Sequence, residues 1–256
     1  MGRTAVLTDR IVRKHPEEIG APVNVLAIGA HPDDIELYCG GTMARYAEAG
    51  HGVFFAVVCD GCSGAPEFGP EEAGRIRAEE SRNAASVIGA EVIHLGYPDH
   101  CIPTDEGVLL RLADVIRQAE PSVLFSHDPA DCFIDHVRVS RLVEEAVFLA
   151  SARNVETHFP VTPQHPTLFY MDTVVGLSFQ PSEYVDVSGV METKRRMLEC
   201  HKSQTSRAFS DPNDPTIMEM MEVSARYRGM QCGVRYAEAF RLQQKWDRTT
   251  PWRVLP

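Results

Sequence analysis

His31-Pro-Asp-Asp34 sets an imidazole and two carboxylates at the end of the apolar run Val23-Asn-Val-Leu-Ala-Ile-Gly-Ala30. Imidazole nitrogen and carboxylate oxygen are the donors of a catalytic zinc site, which takes three protein ligands and keeps one position for water. His31 and Asp34 stand three apart, and Pro32 fixes one backbone angle between them. A third ligand must come from elsewhere. A second polar stretch offers His127, Asp128, Asp131, Asp135 and His136. The same His-Pro-Asp-Asp turn also suits a helix N-terminus, with acidic residues near the positive end of the helix. Spacing alone leaves a metal site and a capped helix both open.

Both stretches need elements that bring them together. Val23–Gly29 is short, apolar and rich in β-branched residues, as a strand buried on both faces should be. A helix is expected over 35–50, with Gly50 as its stop and Gly40-Gly41 marking a late start or a close backbone approach. Strands follow at 53–58, 92–95 and 122–126, and helices at 71–88, 107–120 and 136–150. This alternation implies a parallel sheet with right-handed crossovers. Ligands bind such sheets at the carboxyl ends of their strands, where both polar stretches fall. Beyond residue 150 the rhythm changes. Strands are expected at 167–175, 183–187 and 236–242, and helices at 190–202 and 215–230.

The expected organisation is an arm over residues 1–20 and a single domain over 21–256, with cap elements from about residue 155. A dinucleotide fold would carry G-x-G-x-x-G after the first strand. Gly29-Ala-His-Pro-Asp-Asp34 supplies one of those glycines, and its carboxylates would repel phosphates.

Bulk properties narrow the classes further. The chain has 256 residues, 44% of them hydrophobic and 24% charged, enough for a sizeable core. A net charge of −11 argues against non-specific binding to nucleic acid or an anionic membrane. No signal peptide or membrane span is read at the N-terminus. The seven scattered cysteines read as reduced thiols of a cytoplasmic protein. Cys59-Asp-Gly-Cys62 lacks the second pair that a zinc ribbon needs.

Ala30-His-Pro-Asp-Asp34 followed by Gly40-Gly-Thr42 resembles the opening signature of the LmbE-like or PIG-L family of zinc-dependent N-acetylglucosamine deacetylases. Asp135-His136 is similar to that family's Asp-His pair, and Arg77-Ala-Glu-Glu80 to its helix motif. His201-Lys-Ser-Gln204 and Tyr236-Ala-Glu-Ala-Phe240 resemble its C-terminal motifs. The resemblance implies a Rossmann-like three-layer α/β/α sandwich with a mostly parallel sheet. It implies Zn2+ held by His31, Asp34 and His136, and Asp33 as the base acting on a metal-activated water. It implies that Arg77 faces a small N-acetylated substrate, and that the protein is a homo-oligomer.

One position departs from the family pattern. Where the family usually has His-x-Asp-His, this chain has Phe133-Ile-Asp-His136. The missing histidine is expected to contact the substrate carbonyl, and phenylalanine donates no hydrogen bond. His100 and His127, both on loops after strands, are candidates for that contact, or the metal serves alone. The expected activity is N-deacetylation of a small amino sugar or its conjugate. The alternatives are hydrolysis of another amide or ester, and a metal-binding protein impaired in catalysis.

Overall fold

The computed structural model describes residues 22–162, 165–205 and 213–244. The arm expected over 1–20 lies outside the described residues. Within them runs the order β1 (Asn24–Gly29), α1 (Asp34–Glu48), β2 (Gly52–Cys59), α2 (Pro70–Ser86), β3 (Glu91–Tyr97), α3 (Glu106–Ala119), β4 (Val123–Ser126) and α4 (Ile134–Ser151). Then come β5 (Thr167–Met171), β6 (Glu183–Asp186), α5 (Met191–Glu199), α6 (Lys202–Thr205), α7 (Ile217–Cys232) and β7 (Ala237–Leu242).

All seven strands form one sheet in the order β3-β2-β1-β4-β5-β7-β6. The first five are parallel, and β7 runs antiparallel to both β5 and β6. β1 shows why its sequence is continuously apolar. Val25 and Ala27 pack into the layer of α1, α2, α5 and α7, whereas Leu26 and Ile28 pack into the layer of α3 and α4. Alternate side chains of a strand point to opposite faces, so a strand covered on both sides needs apolar residues throughout. The chain expected as cap elements continues the sheet with β5, β6 and β7 and adds α5 to α7 around α1.

Two expected elements end early. The strand expected over 167–175 stops at Met171, and a 3-10 turn follows at Val174–Gly176. The helix expected over 190–202 breaks after Glu199, and a short one restarts at Lys202. The buried Glu80 carboxylate takes the Ser203 amide at 2.8 Å and its hydroxyl at 2.6 Å, and these bonds tie the restarted turn to α2. The Gly40-Gly41 pair marks a close approach and not a late start. A Cβ on Gly41 would lie 2.7 Å from the Val187 side chain.

Strand order reverses between β1 and β4, since β1 is followed in sequence by neighbours on one side and β4 lies on the other. At such a switch point the connections part above the carboxyl ends of the strands and leave a crevice. Among the described residues no helix is long and apolar enough to cross a membrane.

Candidate metal centre

The two polar stretches meet in that crevice. The turn after β1 brings His31 and Asp33, with Asp34 opening α1, and the loop after β4 brings His127 and Asp131, with Asp135 and His136 in the first turn of α4. The turn is tightly tied. The His31 amide donates to Asp34 Oδ2 at 2.6 Å, and the Ala30 amide donates to His127 Nε2 at 2.9 Å. Asp33 itself has φ 125°, a conformation that is uncommon outside glycine.

His31, Asp34 and His136 each offer a ligand atom, and these atoms lie within 4.8 Å of one another. His136 Nε2 is 3.3 Å from Asp34 Oδ1, and His31 Nδ1 is 3.6 Å from Asp34 Oδ2. The other nitrogen of each imidazole has a carboxylate behind it. His31 Nε2 meets Asp135 Oδ2 at 3.3 Å, and His136 Nδ1 meets Asp131 Oδ2 at 3.2 Å. Metal-bound histidines are held in this way, because the carboxylate fixes the ring and its tautomer. The donor set therefore fits a zinc ion: two imidazole nitrogens and one carboxylate, each imidazole backed by its own acid.

Other groupings of donors fit less well. In the set of His31, Cys59 and Asp135, the Cys59 thiol is buried, and its burial pushes its pKa far up. In the set of His127, Asp131 and His136, His127 Nε2 already accepts the Ala30 amide. In the set of Asp60, Cys62 and Asp99, the carboxylates hold the loop after β2, at the amides of Cys62, Gly61 and Ser63.

The electrostatics point the same way. Burial opposes charge on His31, but Asp135 and Asp34 lift its pKa to about 10. Burial likewise opposes charge on His136, and Asp34 and Asp131 lift it to about 9. Burial raises Asp34, yet His136 holds it well below the usual carboxylate range. The carboxylates thus draw positive charge into a buried cluster, which is what a divalent cation would supply.

The remaining sequence candidates surround this cluster. His127 is fully buried and stacks on His136, with ring centroids 3.8 Å apart, so it packs against that imidazole. Burial lowers its pKa and keeps it neutral. Arg77 is 3% exposed. Its Nη2 donates to Pro32 O at 2.5 Å and lies 3.1 Å from Asp33 Oδ1, and its Nη1 donates to Gly61 O. Arg77 therefore braces the turn from behind. The close approach requires glycine at 61, where φ is +77° and a Cβ would lie 2.7 Å from the guanidinium. Burial raises the Asp33 carboxyl, and Arg77 opposes that rise. His201 is fully buried, with Nε2 3.4 Å from Glu36 Oε1. His100 lies at the exposed rim, with Nδ1 3.3 Å from Asp135 Oδ2. Phe133 sits against His136, its ring centroid 5.1 Å away.

Two features escaped the sequence reading. Tyr38 stands edge-on to both His127 and His136, at 6.1 Å from each centroid. Burial and the carboxylates of Asp34 and Asp131 push its phenol well up, so it stays protonated. Its position was available from helical spacing, since residue 38 lies one turn after Asp34 on the same face. The backing roles of Asp131 and Asp135 were available from the need of each ligand imidazole for an acceptor. Asp131→Asn is expected to weaken zinc binding about 10–100-fold, measured by competition with a chromophoric chelator, while the protein stays folded. Unchanged affinity would mean that Asp131 does not orient His136.

Fold and site together define a Rossmann-like α/β sandwich with a His-Asp-His centre at its switch point. Residues 26–147 match the family model described as PIG-L: GlcNAc-PI de-N-acetylase, and the chain belongs to this family. It is 30% identical to diacetylchitobiose deacetylase of Thermococcus kodakarensis over 236 residues, which cover 88% of this chain and 86% of the relative. It is 26% identical to 4-oxalmesaconate hydratase of Pseudomonas putida over 190 residues, 71% of this chain and 74% of the relative. Among solved structures, N,N'-diacetylchitobiose deacetylase from Pyrococcus horikoshii, in complex with an inhibitor, matches with a TM-score of 0.76 and 26% identity. That match covers 89% of this chain and 86% of the other.

Proposed function

We propose that the protein is a zinc-dependent N-deacetylase of a small N-acetylated amino sugar or its conjugate. The observation that carries this reading is the carboxylate-backed set of His31, Asp34 and His136 with Asp33 beside it. Relatives that act on acetylated chitobiose support the substrate class. His31, Asp34 and His136 would hold the zinc. When bound, zinc supplies Lewis acidity, which brings the pKa of water to about 7 and polarises a carbonyl.

The chain's own residues do the rest. Asp33 removes the proton of the attacking water as the new C–O bond forms at the acetyl carbon. It then hands that proton to the amine nitrogen as the C–N bond breaks, and acetate and a free amine leave. Arg77 keeps the Asp33 carboxylate aimed forward, and Asp131 and Asp135 keep the two imidazoles in register.

The test is direct. Purified protein is expected to carry close to one zinc per chain and to release acetate from N-acetylglucosamine or its conjugates. Chelation should abolish release, and zinc should restore it. Zinc-loaded protein that releases no acetate from any such compound, but adds water to an unsaturated carboxylic acid, would move the reading to the hydratase branch.

A further inference from the structure

His100 is the second non-glycine residue at the site with a positive φ. Among the described residues, four non-glycine residues have positive φ, and the pair at the site is Asp33 at 125° and His100 at 65°. A left-handed residue other than glycine is held there against backbone strain, and such residues gather where function over-determines the backbone. The means of holding His100 are visible. Its amide donates to Asp135 Oδ2 at 2.8 Å, and its carbonyl accepts Arg138 Nη1 at 2.8 Å. Its imidazole Nδ1 lies 3.3 Å from the same Asp135 oxygen. That oxygen also meets His31 Nε2 at 3.3 Å. One carboxylate atom thus links a candidate zinc ligand to an imidazole whose side chain is 62% exposed at the rim.

The chemistry of the exposed edge follows from the buried one. An ionised carboxylate favours a proton on the nearer ring nitrogen, so with Asp135 Oδ2 at 3.3 Å the tautomer that carries its proton on Nδ1 is preferred. In the neutral imidazole Nε2 then carries a lone pair and accepts. Phe133, across His136, adds an apolar surface and no hydrogen bond. With its backbone held at both N–H and C=O, His100 presents an acceptor edge at the exposed rim of the centre, suited to an O–H and not to a carbonyl.

We propose that His100 is a specificity-determining residue whose Nε2 accepts a hydrogen bond from a hydroxyl of the sugar that carries the acylamino group. This rests on the N-deacetylase reading above and narrows it to substrates that keep that hydroxyl free.

The experiment compares wild type with His100→Gly and His100→Asn, using N-acetylglucosamine and its monodeoxy analogues. Both replacements tolerate a positive φ, so both proteins should fold and keep their zinc. His100→Gly is expected to lose about 5–10-fold in kcat/KM through KM, in line with one neutral hydrogen bond. One deoxy analogue should lose a similar factor with wild type and no further factor with His100→Gly. Unchanged kcat/KM in His100→Gly, or losses that add for every analogue, would overturn the proposal. Loss of zinc from His100→Gly would also overturn it, by making the residue a support of the metal centre. A second readout needs no turnover. The imidazole proton signals of His100 should shift when glucosamine is added and stay put when its matching deoxy form is added. If wild type releases no acetate, the N-deacetylase reading fails on that result, and this titration still decides the role of His100.

Discussion

Asp33→Asn is expected to bind zinc like wild type and to release acetate about 10²–10⁴-fold more slowly, the range of a lost general base. Three features make the substitution clean. Asparagine has the same shape, and it tolerates the positive φ that residue 33 adopts. Asp33 is outside the His31, Asp34 and His136 set, so metal content should not change. Arg77 would lose a charge partner at 3.1 Å but would keep its bonds to Pro32 O and Gly61 O. The amide cannot take a proton from water or return one to an amine. The loss should therefore fall on kcat and leave KM nearly as it was. Zinc analysis and steady-state kinetics on the same preparation check both halves. Wild-type kcat in this variant would remove Asp33 from the proton path, and loss of zinc would make it a ligand.

The turn after β1 was legible because its signals are local. An apolar run that stops at His-Pro-Asp-Asp marks a strand end and a donor cluster within a dozen residues. The β/α alternation to residue 150 was legible for the same reason, and a parallel sheet then places the loop after β4 beside that turn. Pairings between distant segments were harder to read. Nothing near residue 237 says that β7 inserts between β5 and β6 and runs against both. The burial of His127 and Arg77 depends on what packs over them, namely the imidazole of His136 and the loop at Gly61. A histidine or arginine next to a site looks the same in sequence whether it faces a substrate or props up a ligand. The restart at Lys202 likewise depends on Glu80, more than a hundred residues earlier.

Glu238 is the sharpest case of a distant partner, and its removal is the stability change with the largest expected effect. The motif Tyr236-Ala-Glu-Ala-Phe240 puts one carboxylate among apolar neighbours, and a buried acid so placed needs partners. They lie on α1 and α5. Glu238 Oε1 accepts the Gly41 amide at 2.8 Å and Lys194 Nζ at 2.5 Å. Its Oε2 accepts the Thr42 amide at 2.7 Å and the Thr42 hydroxyl at 2.6 Å. Lys194 and Glu238 side chains are each only 2% exposed, so neither charge reaches water. Among the described residues, Glu238 is the acid paired with Lys194. Removing one member of a buried pair strands the other charge, at about 3–5 kcal/mol. For a domain of this size that corresponds to a fall of roughly 6–20 °C in melting temperature. Glu238→Ala should show that fall by calorimetry. Lys194→Met should fall less, because the carboxylate it leaves behind keeps three hydrogen bonds from Gly41 and Thr42. The order of the two variants is what tests the idea. If Glu238→Ala melts within about 2 °C of wild type, or if Lys194→Met is the worse of the two, the carboxylate does not tie α1, the helix that begins at Asp34, to β7.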